Sequence, residues 1–263
     1  VIGAITVGAL SSTPPTPPGP VAGYNLWLDA ADPTVFAYSS GTLVSQWTDK
    51  SANAYIFNEG TTTQQPTRNT TMNGKDTVNF GTASRTDKLT STLSSSVWKY
   101  LSNGSGATLF IVSRQQSGSN VICGTARTNS EIGIQIFNGG TSYYAGMESS
   151  NATAGQYLAA YAQTGTGALN TPFIATFVMD QNNGTVAQRL RAYLNDGTVQ
   201  TQTNGSGGTG NAGNPTYTLR FGASGTATSP LIGEIAEIIS YTSILSSTDR
   251  DANITYLKTK WGI

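Results

Sequence analysis

The sequence contains no histidine. The commonest general base and the commonest transition-metal ligand are therefore missing, and Ser-His-Asp and Cys-His catalysis are excluded. Cysteine is almost absent: Cys123 stands alone, so no intramolecular disulfide can form. It follows Val121 and Ile122 in a strand-like run, which reads as a buried, inert thiol. Charge is scarce and balanced. Only 11% of residues are charged, and 14 Lys and Arg cancel 14 Asp and Glu. Such a chain offers no basic patch for nucleic acid and no polybasic signal for a membrane surface. Long apolar runs are missing too. The opening stretch Val1 to Leu10, VIGAITVGAL, is far shorter than the about 20 residues a bilayer span needs. It lacks a basic start and a cleavage site, so it is a poor signal peptide. A phosphate loop is absent, because Gly205 to Gly210 has no Lys-Ser/Thr ending and no following helix.

What is present is a chain of 263 residues, 37% hydrophobic, rich in Thr, Ser, Gly and Asn. That composition suits many short strands joined by turns, in one large all-β domain with an extension. Ala107 to Ser113 and Phe173 to Asp180 are nearly continuous apolar runs, read as central strands buried on both faces. Shorter strands are expected at Tyr24 to Ala30, Val44 to Trp47, Tyr55 to Phe57, Thr77 to Phe80, Leu89 to Leu93 and Gln188 to Leu194. Val121 to Gly124 and Ile132 to Phe137 follow Ala107 to Ser113 as its partners. Asn138-Gly139-Gly140 signals a hairpin into Tyr143 to Met147, and Asn73-Gly74 signals another turn. Thr153 to Gly167 reads as a long loop in which Tyr157-Leu158 can pair. Phe110, Val112, Phe177 and Ile238 are expected in one shared core.

Residues 1–20 stand apart from this pattern. Val1, Ile2, Ile5, Val7 and Leu10 give a small apolar strip, and Ser11 to Pro20 is a stiff Pro-rich spacer. The pair reads as an anchoring arm that holds the domain, residues 21–263, to other subunits of a larger assembly. It can also add as a strand to an exposed sheet edge.

The stretch from Leu231 to Ile263 closes the domain. Aliphatics fall on both sides of a strand: Ile235, Glu237, Ile239 and Tyr241 on one, Ala236, Ile238 and Ser240 on the other. Such a strand is covered on two faces. A helix follows. Ser246 or Ser247 caps it, Asp249 takes the capping-box place, and Ile254, Leu257 and Trp261 form one apolar stripe. Lys258 and Lys260 suit the dipole at its end.

A strand running into a short helix that ends Lys-Trp-Gly resembles the end of the concanavalin/laminin-G-type jelly roll of bacterial and phage surface proteins. The front half carries the matching opening. Leu26-Trp27-Leu28-Asp29-Ala30-Ala31-Asp32-Pro33 precedes Val44-Ser45-Gln46-Trp47-Thr48-Asp49-Lys50-Ser51, then Gln65-Pro66-Thr67, Asn73-Gly74-Lys75 and Val78-Asn79-Phe80. The resemblance implies a two-sheet antiparallel jelly-roll sandwich with one short C-terminal helix and an extended N-terminal arm. It implies core packing for Trp27, Trp47 and Trp261. It does not fix an activity, because such folds host many.

Three chemistries deserve weighing. Hydrolases of this fold place acids in a Glu-x-Asp-x-x-Glu arrangement. Here Glu234 and Glu237 lack the intervening aspartate and, three apart in a regular strand, face opposite sides. Among non-catalytic members of the resembled family, an acid at the place of Glu237 is a structural feature. Calcium is the second, with Asp29, Asp32, Asp49, Asp180 and Asp196 near turns, though no dedicated loop spacing is present. Their plainer reading is as turn and capping residues. Glycan binding is the third. Tyr143, Tyr144, Tyr157 and Tyr161 beside Gly and Asn can stack on sugar faces. Strand exposure or subunit contact is the plainer reading. The expectation is a non-enzymatic virion or surface structural protein, such as a phage decoration protein or head/tail fibre. Its partners are assembly subunits and a host-surface glycan, it has no cofactor, and it sits on a virion surface or outside the cell as an oligomer. A secreted carbohydrate-binding module is the alternative, and a glycoside hydrolase or lyase the third class.

Overall fold

The computed structural model describes residues 19–81, 86–103, 106–118, 120–127, 131–139, 143–151, 157–162, 169–195, 198–199, 204–205 and 213–263. The chain is all-β, with 18 strands among these residues. They are β1 (Leu26–Asp29), β2 (Phe36–Ser40), β3 (Leu43–Thr48), β4 (Ile56–Asn58), β5 (Thr67–Met72), β6 (Lys75–Asn79), β7 (Leu89–Ser91), β8 (Ala107–Gln115) and β9 (Asn120–Gly124). There follow β10 (Ile132–Gly139), β11 (Tyr143–Asn151), β12 (Tyr157–Ala162), β13 (Pro172–Met179), β14 (Leu190–Leu194), β15 (Thr198–Val199), β16 (Asn204–Gly205), β17 (Arg220–Phe221) and β18 (Gly233–Tyr241). One-turn α1 (Tyr100–Asn103), the terminal helix α2 (Ser247–Trp261) and short 3-10 turns are the helical elements among the described residues.

All pairings are antiparallel and fall into two layers. The first runs β15-β14-β13-β8-β18. β1 and β6 share the far edge of β18, and β5 lies beyond β6. The second runs β2-β3-β4-β7-β17-β9-β10-β11-β12-β16. A single bridge, Leu43 to Thr67, joins the layers. β9 and β10 therefore pair with each other and not with β8, whose partners are β13 and β18. The apolar run of β8 could not reveal which later strands would flank it.

Alternation along the strands builds two cores rather than one. Leu28, Trp47, Phe57, Leu109, Ile134, Phe177, Phe221 and Ile238 meet between the layers. Phe110, Val112, Ile174, Ile239, Tyr241, Ile254, Leu257 and Trp261 meet on the outer face of the first layer, under α2. The expected common core thus divides: Phe177 and Ile238 lie between the sheets, Phe110 and Val112 under the helix. Each fully buried aliphatic contributes ~1.5–3 kcal/mol, so both faces matter to stability.

A β-bulge in β18 sets which side chains go where. Ile235 pairs with Ser113 and Glu237 with Val112, leaving Ala236 as the extra residue. Ile235 consequently joins the inter-sheet core instead of sharing a face with Ile239 and Tyr241. Ser246 caps α2, accepting the Asp249 N–H at 3.1 Å. At the other end Gly262 adopts φ 70°, the left-handed conformation that favours glycine, and its N–H bonds the Lys258 carbonyl. The Lys-Trp-Gly ending is therefore a helix stop with its last side chain, Trp261, turned inward.

Candidate functional site

Beneath α2 four donors converge on Glu237. Trp27 Nε1 and the Tyr256 hydroxyl donate to Oε1 at 2.7 and 2.8 Å, and Trp261 Nε1 donates to Oε2 at 2.6 Å. Lys260 Nζ lies 2.8 Å from the same oxygen and 2.7 Å from Asp29 Oδ1. The other Asp29 oxygen takes Lys50 Nζ at 3.0 Å, and Lys50 reaches Asp32 at 2.9 Å across the Trp27 ring. Glu237 is 1% exposed. Burial pushes its carboxyl above the usual carboxylate range, against the downward pull of the Lys260 ammonium. These groups join β1, β18, the turn after β3 and α2, with both Glu237 oxygens occupied. Sequence reasoning missed Lys260 as a buried partner. Its place in the last helical turn fits a dipole role, and only its i, i+4 spacing from Tyr256 hinted otherwise.

Glu234 is held separately. Arg114 Nη2 lies 2.6 and 2.7 Å from its two oxygens, and Gln116 Nε2 and Thr77 Oγ1 donate at 2.9 Å each. The bulge corrects the expectation that Glu234 and Glu237 face opposite sides. Glu234 pairs with Arg114 and Glu237 with Val112, so both stand on the outer face with Phe110. They are nonetheless built into different networks, each capped by its own cation.

The aspartates singled out from the sequence hold turns and ion pairs. Asp32 accepts from Thr34 N at 3.0 Å and caps the short 3-10 turn Pro33–Val35. The Thr34 hydroxyl first, and Lys50 second, draw its pKa from 3.8 to about 2. Asp49 is buried and accepts the Trp27 and Ser51 N–H groups at 2.7 and 2.8 Å. Asp180 accepts from Asn183 at 2.9 Å. Asp196 lies outside the described residues. Among the described residues no group of three or more Cys, Asp or Glu side chains comes together in a way that could hold a metal ion.

Cys123 is buried, and desolvation pushes its thiol well above the usual range. It lines a cavity of about 10 Å³ with Leu26, Leu109, Phe221 and Ile238. That is about the size of one water and too small for a ligand. No helix among the described residues is long and apolar enough to cross a membrane. The arm residues Val1, Ile2, Ile5, Val7 and Leu10 lie outside the described residues.

The four tyrosines fall on adjacent strands. Tyr143 and Tyr144 open β11, and Tyr157 and Tyr161 lie on β12, which extends the expected short pairing into a full strand. Tyr157 is in register with Ser150 and Tyr161 with Gly146. In β10, Ile134 and Ile136 belong to the inter-sheet core and pair with Ser149 and Met147.

No family model matches the chain, and no curated protein matches it. Solved structures do match. The botulinum neurotoxin serotype G binding domain aligns with a TM-score of 0.60 at 11% identity, covering 90% of this chain and 51% of that one. The serotype D binding domain aligns at 0.58 and 12% identity, covering 90% and 51%. A type C structure, described in the words "cell entry of botulinum neurotoxin type C is dependent upon interaction with two ganglioside molecules", aligns at 0.54 and 11%, covering 89% and 51%. At such identities the likeness shows the fold alone. The chain spans about half the length of the solved structures it matches.

Proposed function

We propose that this protein is a non-catalytic, glycan-binding surface domain, a jelly roll of the concanavalin/laminin-G type. The observation that carries this reading is the likeness of its sandwich, over 90% of its length, to toxin binding domains. One such structure is described through its interaction with gangliosides. The place of Tyr157 and Tyr161 on one strand, beside small residues in the sequence, supports it, since aromatic platforms suit sugar C–H faces. The engagement of Glu234 and Glu237 by structural partners supports the absence of catalysis. A glycan array followed by calorimetry on the full chain tests it. Tyr157→Ala and Tyr161→Ala should each weaken binding by ~0.5–1.5 kcal/mol, up to about tenfold. Binding of no glycan, or equal binding by both variants, would defeat the reading. Polysaccharide turnover that vanishes on Glu234→Gln would defeat its non-catalytic part.

The setting we propose is a virion or comparable surface assembly, as a decoration protein or fibre, with residues 1–20 as the anchor. Val21, just after this segment, is tied to the domain. Val21 N donates to Asn253 Oδ1 at 3.1 Å, and the Tyr241 hydroxyl donates to the Val21 carbonyl at 2.7 Å. Deleting residues 1–12 should leave the melting temperature unchanged and abolish incorporation into the assembly. A deleted protein that assembles normally, or one that no longer folds, would remove the anchor from this account.

A further inference from the structure

Four buried side-chain polar atoms among the described residues have no hydrogen-bond partner: Trp47 Nε1, Thr176 Oγ1, Arg191 Nε and Arg250 Nε. Buried orphans of this kind are uncommon and weaken a fold unless something supplies the missing partner. Three of the four lie together. On β14, Leu190, Ala192 and Leu194 enter the inter-sheet core, so Arg191 and Tyr193 stand on the outer face. Thr176 of β13 pairs with Tyr193, and Val178 with Arg191. Arg250, in the first turn of α2, lays its guanidinium 4.3 Å from the Tyr193 ring centre and donates to the Tyr193 hydroxyl at 3.4 Å.

All three orphans are donors, and two of them are cationic. No ion pair among the described residues reaches Arg191. Arg250 has only a loose pair, 3.6 Å from Asp251, whose side chain is 62% exposed. The other nearby acids are engaged elsewhere: Asp249 accepts from Ser246, and Asp180 from Asn183. A cation in the first turn of a helix also adds to the positive end of the dipole instead of offsetting it. Thr176 is 1% exposed, so its hydroxyl gains no compensation from solvent. Glu234 and Glu237, further along the same outer face, are bound by their own partners, so among the described residues these three donors have no negatively charged acceptor.

We propose that Arg191 and Arg250, the two partly exposed guanidinium groups beside the buried Tyr193, bind an oxyanion, the carboxylate or sulfate group of an acidic saccharide. Two guanidinium groups present the planar forks that such groups accept, and the Thr176 hydroxyl lies buried behind them. The saccharide half of this statement rests on the glycan reading above; the oxyanion half does not. The full chain is titrated at low salt with an oligogalacturonate and with its neutral methyl ester. In parallel, melting is followed with sulfate against chloride at equal ionic strength. The acid should bind at least tenfold more tightly than the ester, and Arg191→Gln should remove that preference. Arg250→Gln should weaken the acid several-fold, and Thr176→Val, which keeps the packing at a buried position, should not. Sulfate should raise the melting point of the parent and not of Arg191→Gln. If sulfate protects only when Arg191 is present and no saccharide binds, the oxyanion site stands and the glycan reading falls. If neutral saccharides bind as well as acidic ones and sulfate protects both proteins equally, the glycan reading stands and this site falls.

Discussion

Glu237→Ala is expected to destabilise the protein by about 3–5 kcal/mol, the usual cost of removing one partner from a buried ionic cluster. The loss is not that of a single salt bridge. Trp27 Nε1, Trp261 Nε1 and the Tyr256 hydroxyl would all lose their acceptor at once, and Trp261 and Tyr256 are buried. Lys260 would keep Asp29 as its one carboxylate, with the Tyr256 hydroxyl beside it. Because these donors come from β1 and α2, the change should loosen both elements where they meet β18. In a domain of this size each kcal/mol moves the melting temperature by ~2–4 °C. Thermal or urea unfolding should therefore show a large shift. Glu237→Gln retains shape and one acceptor oxygen and should lose less. An alanine variant within about 1 kcal/mol of the parent would show that the cluster contributes little net stability, as the high cost of burying its charges allows.

The parts of this architecture legible in the sequence are those where local chemistry and burial agree. β8 and β13 are largely apolar because both of their faces are covered. α2 begins at a Ser cap and stops at a Gly, and its apolar stripe is the buried one. Asn73 and Gly74 take φ of 48° and 69°, the two positive values that a tight hairpin turn requires. What escaped reading has no apolar period. β2 is Phe-Ala-Tyr-Ser-Ser on an exposed edge, and β5 is Thr-Arg-Asn-Thr-Thr-Met. They are strands because a neighbour pairs with them, and in β5 Thr70 bonds Thr77 across the ladder at 2.6 Å. The bulge at Ala236 was equally hidden. An extra residue in a run of aliphatics changes every later facing without changing composition, which is why Ile235 and Glu234 were assigned to the wrong sides.

The candidate sites follow the same division. Tyr157 and Tyr161 could be picked out because aromatics beside small polar residues stand out locally. The Arg191 and Arg250 pair could not. Arg191 belongs to β14 and Arg250 to the terminal helix, and only the crossing of α2 over the first layer brings Arg250 to Tyr193, two residues from Arg191. Lys260 and Asp29, at opposite ends of the domain, meet for the same topological reason.

Trp261→Ala should cost about 3–5 kcal/mol, the range for truncating a large buried aromatic. Trp261 is 1% exposed and packs under α2 against the outer face of the first layer. Two effects combine there. The ring fills the space between the helix and β18, and its Nε1 gives Glu237 one of its shortest bonds, 2.6 Å. Trp261→Phe separates them, because it keeps an aromatic body and removes the donor. It should cost ~1–3 kcal/mol, the share attached to the lost bond and a smaller ring. A cycle pairing Trp261→Phe with Glu237→Gln should then show a coupling of ~0.5–3 kcal/mol, since the two side chains share one hydrogen bond. Chemical denaturation of the four proteins gives these values directly. Strict additivity would mean that the bond contributes nothing beyond geometry. A Trp261→Ala protein as stable as the parent would mean that the helix is held by Ile254, Leu257 and Tyr256 alone, and that its closing tryptophan is dispensable to the sandwich.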